Sequence, residues 1–377
     1  MNREETSRLL AQYMEQMIQE SVPQKPAWNR EQKEERPYNW SYVNALFLKA
    51  MLRVYQVNGE KKYLEFADGF MDSYVEEDGM IRSYDFMDYN IDHICGGTVL
   101  MDLYEETGKE KYKLAVELLC RQLKEQPRTE EGSFWHKKIY PHQVWLDGLY
   151  MAQPFYMRYG AEHGRLDLCR DSYRQFQIVE ERMKDPVTGL YYHGYDCSRS
   201  AFWCHKETGL SKNFWLRSIG WLAMAYVEVM EVMPKEMEEE KKQMMCCFQN
   251  LVDSMLPFQE KTSHMWYQVP DQGERKGNYL ETSGTAMFAC ALLKGSRLNY
   301  LEDSYEKRGG EIFDGISKKE LWEKDGQLQL GGICLVAGLG GEGVRRDGSY
   351  EYYISEPVVE NDGKGMGPFV LAYTELS

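Results

Sequence analysis

Two kinds of helical segment alternate along this chain, and that alternation limits the fold more than any single motif does. Segments near 5–21, 61–76, 109–126, 164–183, 235–257 and 302–315 are amphipathic and charge-rich. In Lys109–Gln126, for instance, Tyr112, Ala115, Leu119 and Leu123 form one apolar stripe and the rest is largely Lys, Glu and Gln. Segments near 40–57, 92–107, 142–160, 213–231, 281–295 and 363–375 are apolar almost all round, as in Trp221-Leu-Ala-Met-Ala-Tyr-Val227. A helix of the second kind must be buried on more than one side, and a helix of the first kind can cover it. The pattern predicts about twelve helices, with the buried kind recurring at roughly 50 to 80 residues, as in a helical-hairpin repeat. Six hairpins can close into an all-α (α/α)6 barrel, and an open solenoid satisfies the same pattern. The loops ahead of the inner helices carry Gly, Asp and aromatic residues, as in Asp185-Pro-Val-Thr-Gly-Leu-Tyr-Tyr-His-Gly-Tyr-Asp196 and Met265-Trp-Tyr-Gln-Val-Pro-Asp271. Such runs predict short strands at one mouth of the ring, where function sits on a rigid scaffold.

Composition removes several function classes. With 45 Lys and Arg against 60 Asp and Glu, the chain carries a formal charge of −15. It lacks the basic footprint of a duplex nucleic-acid binder, and an anionic ligand must be held by local cations. No stretch approaches the roughly 20 apolar residues needed to span a bilayer, and the N-terminal residues lack a secretory core. Nine cysteines, including the neighbours Cys246 and Cys247, read as reduced thiols of a cytoplasmic protein. No linker divides the chain, so residues 1–377 read as one domain, with 1–39 at its N-terminal edge. The charged stretch Gln32–Arg36, ending at Pro37, reads as a solvated loop. The 9 Trp, 27 Tyr and 14 Phe suit a wide helical core, a sugar-binding surface, or both.

The informative residues are charges at the starts of apolar helices. Asp147 lies in Tyr140-Pro-His-Gln-Val-Trp-Leu-Asp-Gly-Leu-Tyr-Met151. A carboxyl there is either a structural group bonding helix N–H groups or a general acid whose pKa burial raises. Asp92, in Tyr89-Asn-Ile-Asp-His-Ile-Cys-Gly-Gly97, has the same two readings, and two carboxylates across one cavity would be a glycosidase-like pair. Arg217 and Trp221 stand one helical turn apart in Asn213-Phe-Trp-Leu-Arg-Ser-Ile-Gly-Trp221. A buried Arg217 needs an anion, either a protein carboxylate or a bound one. Trp215 and Trp221 suit sugar stacking or core. His136, Lys137 and His142 cluster before Asp147, and His193 lies in the aromatic loop; a lone His is more often structural. The set His193, Cys197, Cys204 and His205 fits no standard zinc spacing, so no metal and no other cofactor is called for. The Gly331–Gly341 run lacks the Lys-Ser/Thr ending of a phosphate loop. Glu281 reads as an N-terminal helix charge.

At these segments the sequence resembles glycoside hydrolase family 105, the unsaturated rhamnogalacturonyl hydrolases. The matching stretches are Trp135–Met151, Thr208–Trp221, Tyr279-Leu-Glu-Thr-Ser-Gly284 and Asp347–Gly365, in the expected order and spanning most of the chain from about Trp40 onward. The resemblance implies an (α/α)6 barrel, with Asp147 as the catalytic acid/base and Asp92 as the second active-site carboxylate. It further implies a substrate pocket of His193, Trp215, Arg217 and Trp221, joined by Tyr42 and by His136 and Lys137. We assign the uronate carboxylate to Arg217 or Lys137.

The implied substrate is a small oligosaccharide ending in a 4,5-unsaturated galacturonic acid, whose C4=C5 bond and ring oxygen form a vinyl ether. Asp147 would protonate C4, water would add at C5, and the hemiketal would rearrange to release a rhamnose-bearing aglycone, as in pectin breakdown. An ionised Asp92 would stabilise charge developing at C5. Three rivals remain on sequence alone. They are the same chemistry on unsaturated glucuronyl fragments of ulvan or glycosaminoglycans, an epimerase or conventional inverting glycosidase, and a non-catalytic helical scaffold.

Overall fold

A computed structural model describes residues 2–32, 38–341, 343 and 345–376. The charged stretch expected as a solvated loop lies, from residue 33 on, outside the described residues. Helices α1 (Arg3–Glu20), α2 (Tyr42–Asn58), α3 (Lys61–Asp72), α4 (Gly96–Thr107), α5 (Glu110–Glu125), α6 (Asp147–Glu162) and α7 (Leu166–Arg182) make the first half. α8 (Leu216–Val232), α9 (Glu238–Met255), α10 (Thr282–Arg297), α11 (Ser304–Lys319), the short α12 (Tyr350–Ser355) and α13 (Gly363–Glu375) complete it.

The alternation of patterns is the alternation of layers. α2, α4, α6, α8, α10 and α13 pack in that order, and α13 packs back on α2, so the ring is closed and the fold is an (α/α)6 barrel. α3, α5, α7, α9 and α11 each lie on the inner helix before them. α1 is the sixth outer helix. Its Tyr13 meets Phe47 of α2 edge-on at 6.2 Å, and its Ser7 bonds Tyr373 of α13. The open solenoid is therefore excluded by the α13–α2 contact.

Small residues set the spacing of the inner ring. A Cβ on Gly97 of α4 would stand 2.4 Å from the Phe155 ring of α6, so only glycine permits that approach. Gly284 of α10 passes Leu216 of α8 in the same way, at 2.6 Å. Polar caps fix the starts. Ser41 accepts the Val43 N–H of α2, Glu281 accepts the Ser283 and Gly284 N–H groups of α10, and Asp362 accepts the Lys364 N–H of α13.

Each inner helix runs the same way, because each outer helix carries the chain back. All six inner N-termini thus open on one mouth, where their dipoles concentrate positive potential. The short strands lie there too. β1 (Gln143–Trp145) pairs antiparallel with β2 (Gly194–Asp196), and β5 (Ile333–Cys334) with β6 (Val358–Val359). The hairpin of β3 (Leu321–Lys324) and β4 (Gln327–Leu330) follows α11 and had no counterpart in the periodicity. The segment near 142–160 is corrected in one respect: it opens as β1 and becomes helical only at Asp147.

Candidate active site

Strand pairing assembles the centre of the mouth. β1 and β2 align Trp145 with Gly194, and the Leu146 N–H donates to the His193 carbonyl at 2.9 Å. One residue further along, Asp147 opens α6, and its Oδ2 stands 3.3 Å from His193 Nε2. Neither atom has an aligned hydrogen-bond partner among the described residues, and both are sealed from solvent. Asp147 makes no capping bond to its own helix, so the structural reading of this residue is not realised. His193 itself is fully buried, and its Nδ1 shares a hydrogen bond of 2.8 Å with the Tyr353 hydroxyl.

Asp92 sits in a 3-10 turn, Ile91–Cys95, that runs into α4. Its N-cap reading is not realised either, because Asn90 caps that turn by accepting the Asp92 N–H. The Asp92 carboxylate instead meets Lys137 Nζ at 2.6 Å and His136 Nε2 at 3.4 Å. Burial alone would raise the Asp92 carboxyl, but the Lys137 ammonium overcomes it and holds the pKa at about 2. Burial likewise opposes the Lys137 charge, and Asp92 nonetheless holds that ammonium above its usual range. Burial brings His136 down to about 4, so its ring is neutral at pH 7. His136 also packs against the start of α6, since a Cβ on Gly148, the residue after Asp147, would lie 3.3 Å from its Nδ1.

Aromatic rings lock these groups in place. Trp145 stacks on His136 at 4.4 Å and on Tyr140 at 5.1 Å, and its edge meets His193. Trp215 packs against His193 at 4.7 Å and lies parallel to Tyr353. Both expected sugar-stacking tryptophans are 1% exposed. Trp221 stacks on Tyr150 at 4.7 Å and meets Tyr42 edge-on, so it lies in the core beneath Tyr42 at the start of α2.

Arg217 finds its anion within the protein. It is 1% exposed, donates to the Ser283 hydroxyl at 3.1 Å and to the Cys334 carbonyl, and stands 3.9 Å from the Glu281 carboxylate. Glu281 is thus both the cap of α10, as read from the sequence, and the counter-charge of Arg217. Lys137 is committed to Asp92 in the same way. Sequence reasoning missed Tyr353, Ser283 and the Cys334 carbonyl. Tyr353 lies in the matching stretch Asp347–Gly365, but no local spacing ties it to a histidine 160 positions away. Among the described residues no group of His, Cys, Asp and Glu is arranged to hold a metal ion.

Two carboxyl groups at one mouth, one of them ionised and one without a fixed partner, are the parts a glycosidase needs. The sequence profile of Glycosyl Hydrolase Family 88 matches residues 13–377. The chain is 44% identical to a solved family 105 glycoside hydrolase of C. acetobutylicum ATCC 824, with a TM-score of 0.90 over 98% of each chain. It is 27% identical, over 77% of its length and 78% of the relative's, to the unsaturated rhamnogalacturonyl hydrolase YesR of Bacillus subtilis (strain 168). A heparin-specific unsaturated glucuronyl hydrolase shares the fold at a TM-score of 0.72 and 14% identity, covering 99% and 96% of the two chains. This chain belongs to Glycosyl Hydrolase Family 88, and its structure places it beside the family 105 enzymes.

Proposed function

We propose that this hydrolase removes the 4,5-unsaturated galacturonyl residue from the non-reducing end of rhamnogalacturonan-derived oligosaccharides. The observation that carries the reading is the asymmetry of the Asp147 carboxyl. Oδ2 is sealed against His193, while the 13% of the side chain left accessible includes Oδ1, which has no partner among the described residues. A carboxyl group open on one side and walled by a histidine on the other is suited to give and retake a proton. The named activity of YesR supports the choice of aglycone.

Asp147 delivers its proton to C4 of the vinyl ether, and the C4=C5 electron pair forms the new C–H bond. Positive charge then develops on C5 and the ring oxygen. The ionised Asp92 is a fixed negative charge at the same mouth and favours that state. Water adds at C5 and returns a proton to Asp147. The hemiketal opens and the aglycone leaves. His136, Lys137, His193, Trp215, Arg217 and Trp221 shape and brace the pocket, and Tyr42 lines its edge. The converging helix N-termini supply positive potential for a uronate that the net charge of the chain repels. The nine cysteines are all unpaired thiols, which suits a reducing compartment, so we place the reaction in the cytoplasm on short imported fragments.

The test is a panel of lyase-generated unsaturated disaccharides, followed by loss of the unsaturated uronate absorbance. Turnover of the galacturonyl–rhamnose disaccharide ahead of glucuronyl fragments from ulvan or glycosaminoglycans is expected. The reverse order would reassign the substrate. In heavy water the product should carry deuterium at C4, and its absence would reject the hydration route.

A further inference from the structure

We infer that Tyr353 is a positioning residue that fixes the tautomer of His193 and thereby decides which oxygen of Asp147 handles the proton. The inference rests on the proposed role of Asp147. The Tyr353 hydroxyl is fully buried, and burial keeps its phenol protonated far above the usual range. Its one hydrogen-bond partner among the described residues is His193 Nδ1, at 2.8 Å. A buried phenol proton left without an acceptor costs about 1–3 kcal/mol. The phenol therefore donates, and Nδ1 must present its lone pair. That leaves the ring proton on Nε2, 3.3 Å from Asp147 Oδ2.

The consequence falls on Asp147. A ring N–H on Nε2 stands 3.3 Å from Oδ2, unaligned for a hydrogen bond but close enough to favour negative charge on that oxygen, so the transferable proton sits on Oδ1. When Oδ1 gives its proton to C4, the new carboxylate charge is met at Oδ2 by the Nε2–H without any movement of protons in the wall. When water adds at C5, Oδ1 takes the proton back and the ring N–H is unchanged. The parallel packing of Trp215 on Tyr353 and the contact of Trp215 with His193 hold the ring in register.

The test uses the full chain with selectively 15N-labelled histidine. Seven histidines give a short spectrum, and His193→Gln identifies the resonance by its loss. At pH 7 the wild-type ring should show a protonated Nε2 and an unprotonated Nδ1. A protonated Nδ1, alone or together with Nε2, would overturn the inference without any variant of Tyr353. Tyr353→Phe keeps the ring that packs on Trp215 and removes only the hydroxyl. It should populate the Nδ1–H tautomer and lower kcat about tenfold with KM within about twofold, as loss of one hydrogen bond felt in the transition state would do. Unchanged tautomer and unchanged kcat in that variant would overturn the inference. If wild-type protein turns over no unsaturated uronide, the substrate reading fails while the spectrum still decides the tautomer.

Discussion

The two mouths of the barrel are built from the same six helices and treat charge in opposite ways. At the mouth formed by the inner C-termini, cations and carboxylates meet around a cavity of about 180 Å³. Lys49 pairs with Glu228, Lys294 with Glu231 at 2.6 Å, and Arg53 and Arg297 both with Glu375. Arg158 bonds Asp102, Glu105 and Glu162. Cations there also answer the negative ends of the helix dipoles. At the other mouth Asp147 Oδ2, His193 Nε2 and His136 Nδ1 lack aligned partners among the described residues. Unmatched buried polar atoms destabilise a fold, so these three mark that mouth as the candidate working end and the other as structural.

Substitutions at the two ends should separate activity from stability. Asp147→Asn should lower turnover by at least about a thousandfold, the range lost with a general acid, while urea unfolding stays at or above wild type. Wild-type-like turnover would remove Asp147 from the reaction. Glu228→Gln should do the converse. It breaks a 6%-exposed partner of both Lys49 and Tyr150, and should cost about 3 kcal/mol in urea unfolding with kcat/KM unchanged. A loss of activity matching the loss of stability would mean that the mouths are not independent.

The third prediction is a pH effect. Burial holds His136 and His93 near 4, against 6.5 for a free imidazole. The unfolded chain therefore binds the extra proton between these values, and stability rises with pH from about 4 to 6.5 and levels off above. His136→Gln should flatten that slope by about one histidine's share, read from melting temperatures across the window. An unchanged slope would show that His136 is charged in the folded protein. The smallest effect belongs to the pair of Lys212, in the loop before α8, and Asp347, in the loop before α12. Lys212→Met should change stability by no more than about 0.5 kcal/mol, since the pair is solvent-screened.

The layers were legible because burial on two sides demands an apolar surface all round, and that survives in sequence as a period. Asp92, Asp147 and Arg217 stood out in the sequence because a charge at the head of an apolar helix must find a partner, although a structural cap explained each Asp as well as an acid did. Which partner it takes was not legible. Arg217 settles on Glu281, Ser283 and the Cys334 carbonyl, and Lys137 turns from an expected substrate contact into the neighbour that keeps Asp92 ionised. His193 meets Tyr353 across the ring. These pairings are products of closure, and no local rule encodes contacts between residues that lie tens of positions or more apart, up to 160 for His193 and Tyr353. Of the two roles open to Trp215 and Trp221, sugar stacking or core, burial at 1% exposure places both rings among packed side chains.

The packing of α13 on α2 also orders events in time. The first and last inner helices are neighbours, and the Gly363 N–H bonds the Trp28 carbonyl across the same seam. Hairpins within the arc from α2 to α11 can form from local contacts, which are fast. The seam joins residues more than 300 positions apart, so it closes only when the last helix is available. Until then α2 and α10 each expose a flank that α13 is meant to cover, and an arrested or clipped chain would carry two sticky edges. The contact that makes the barrel a ring also makes its assembly all-or-none at the end.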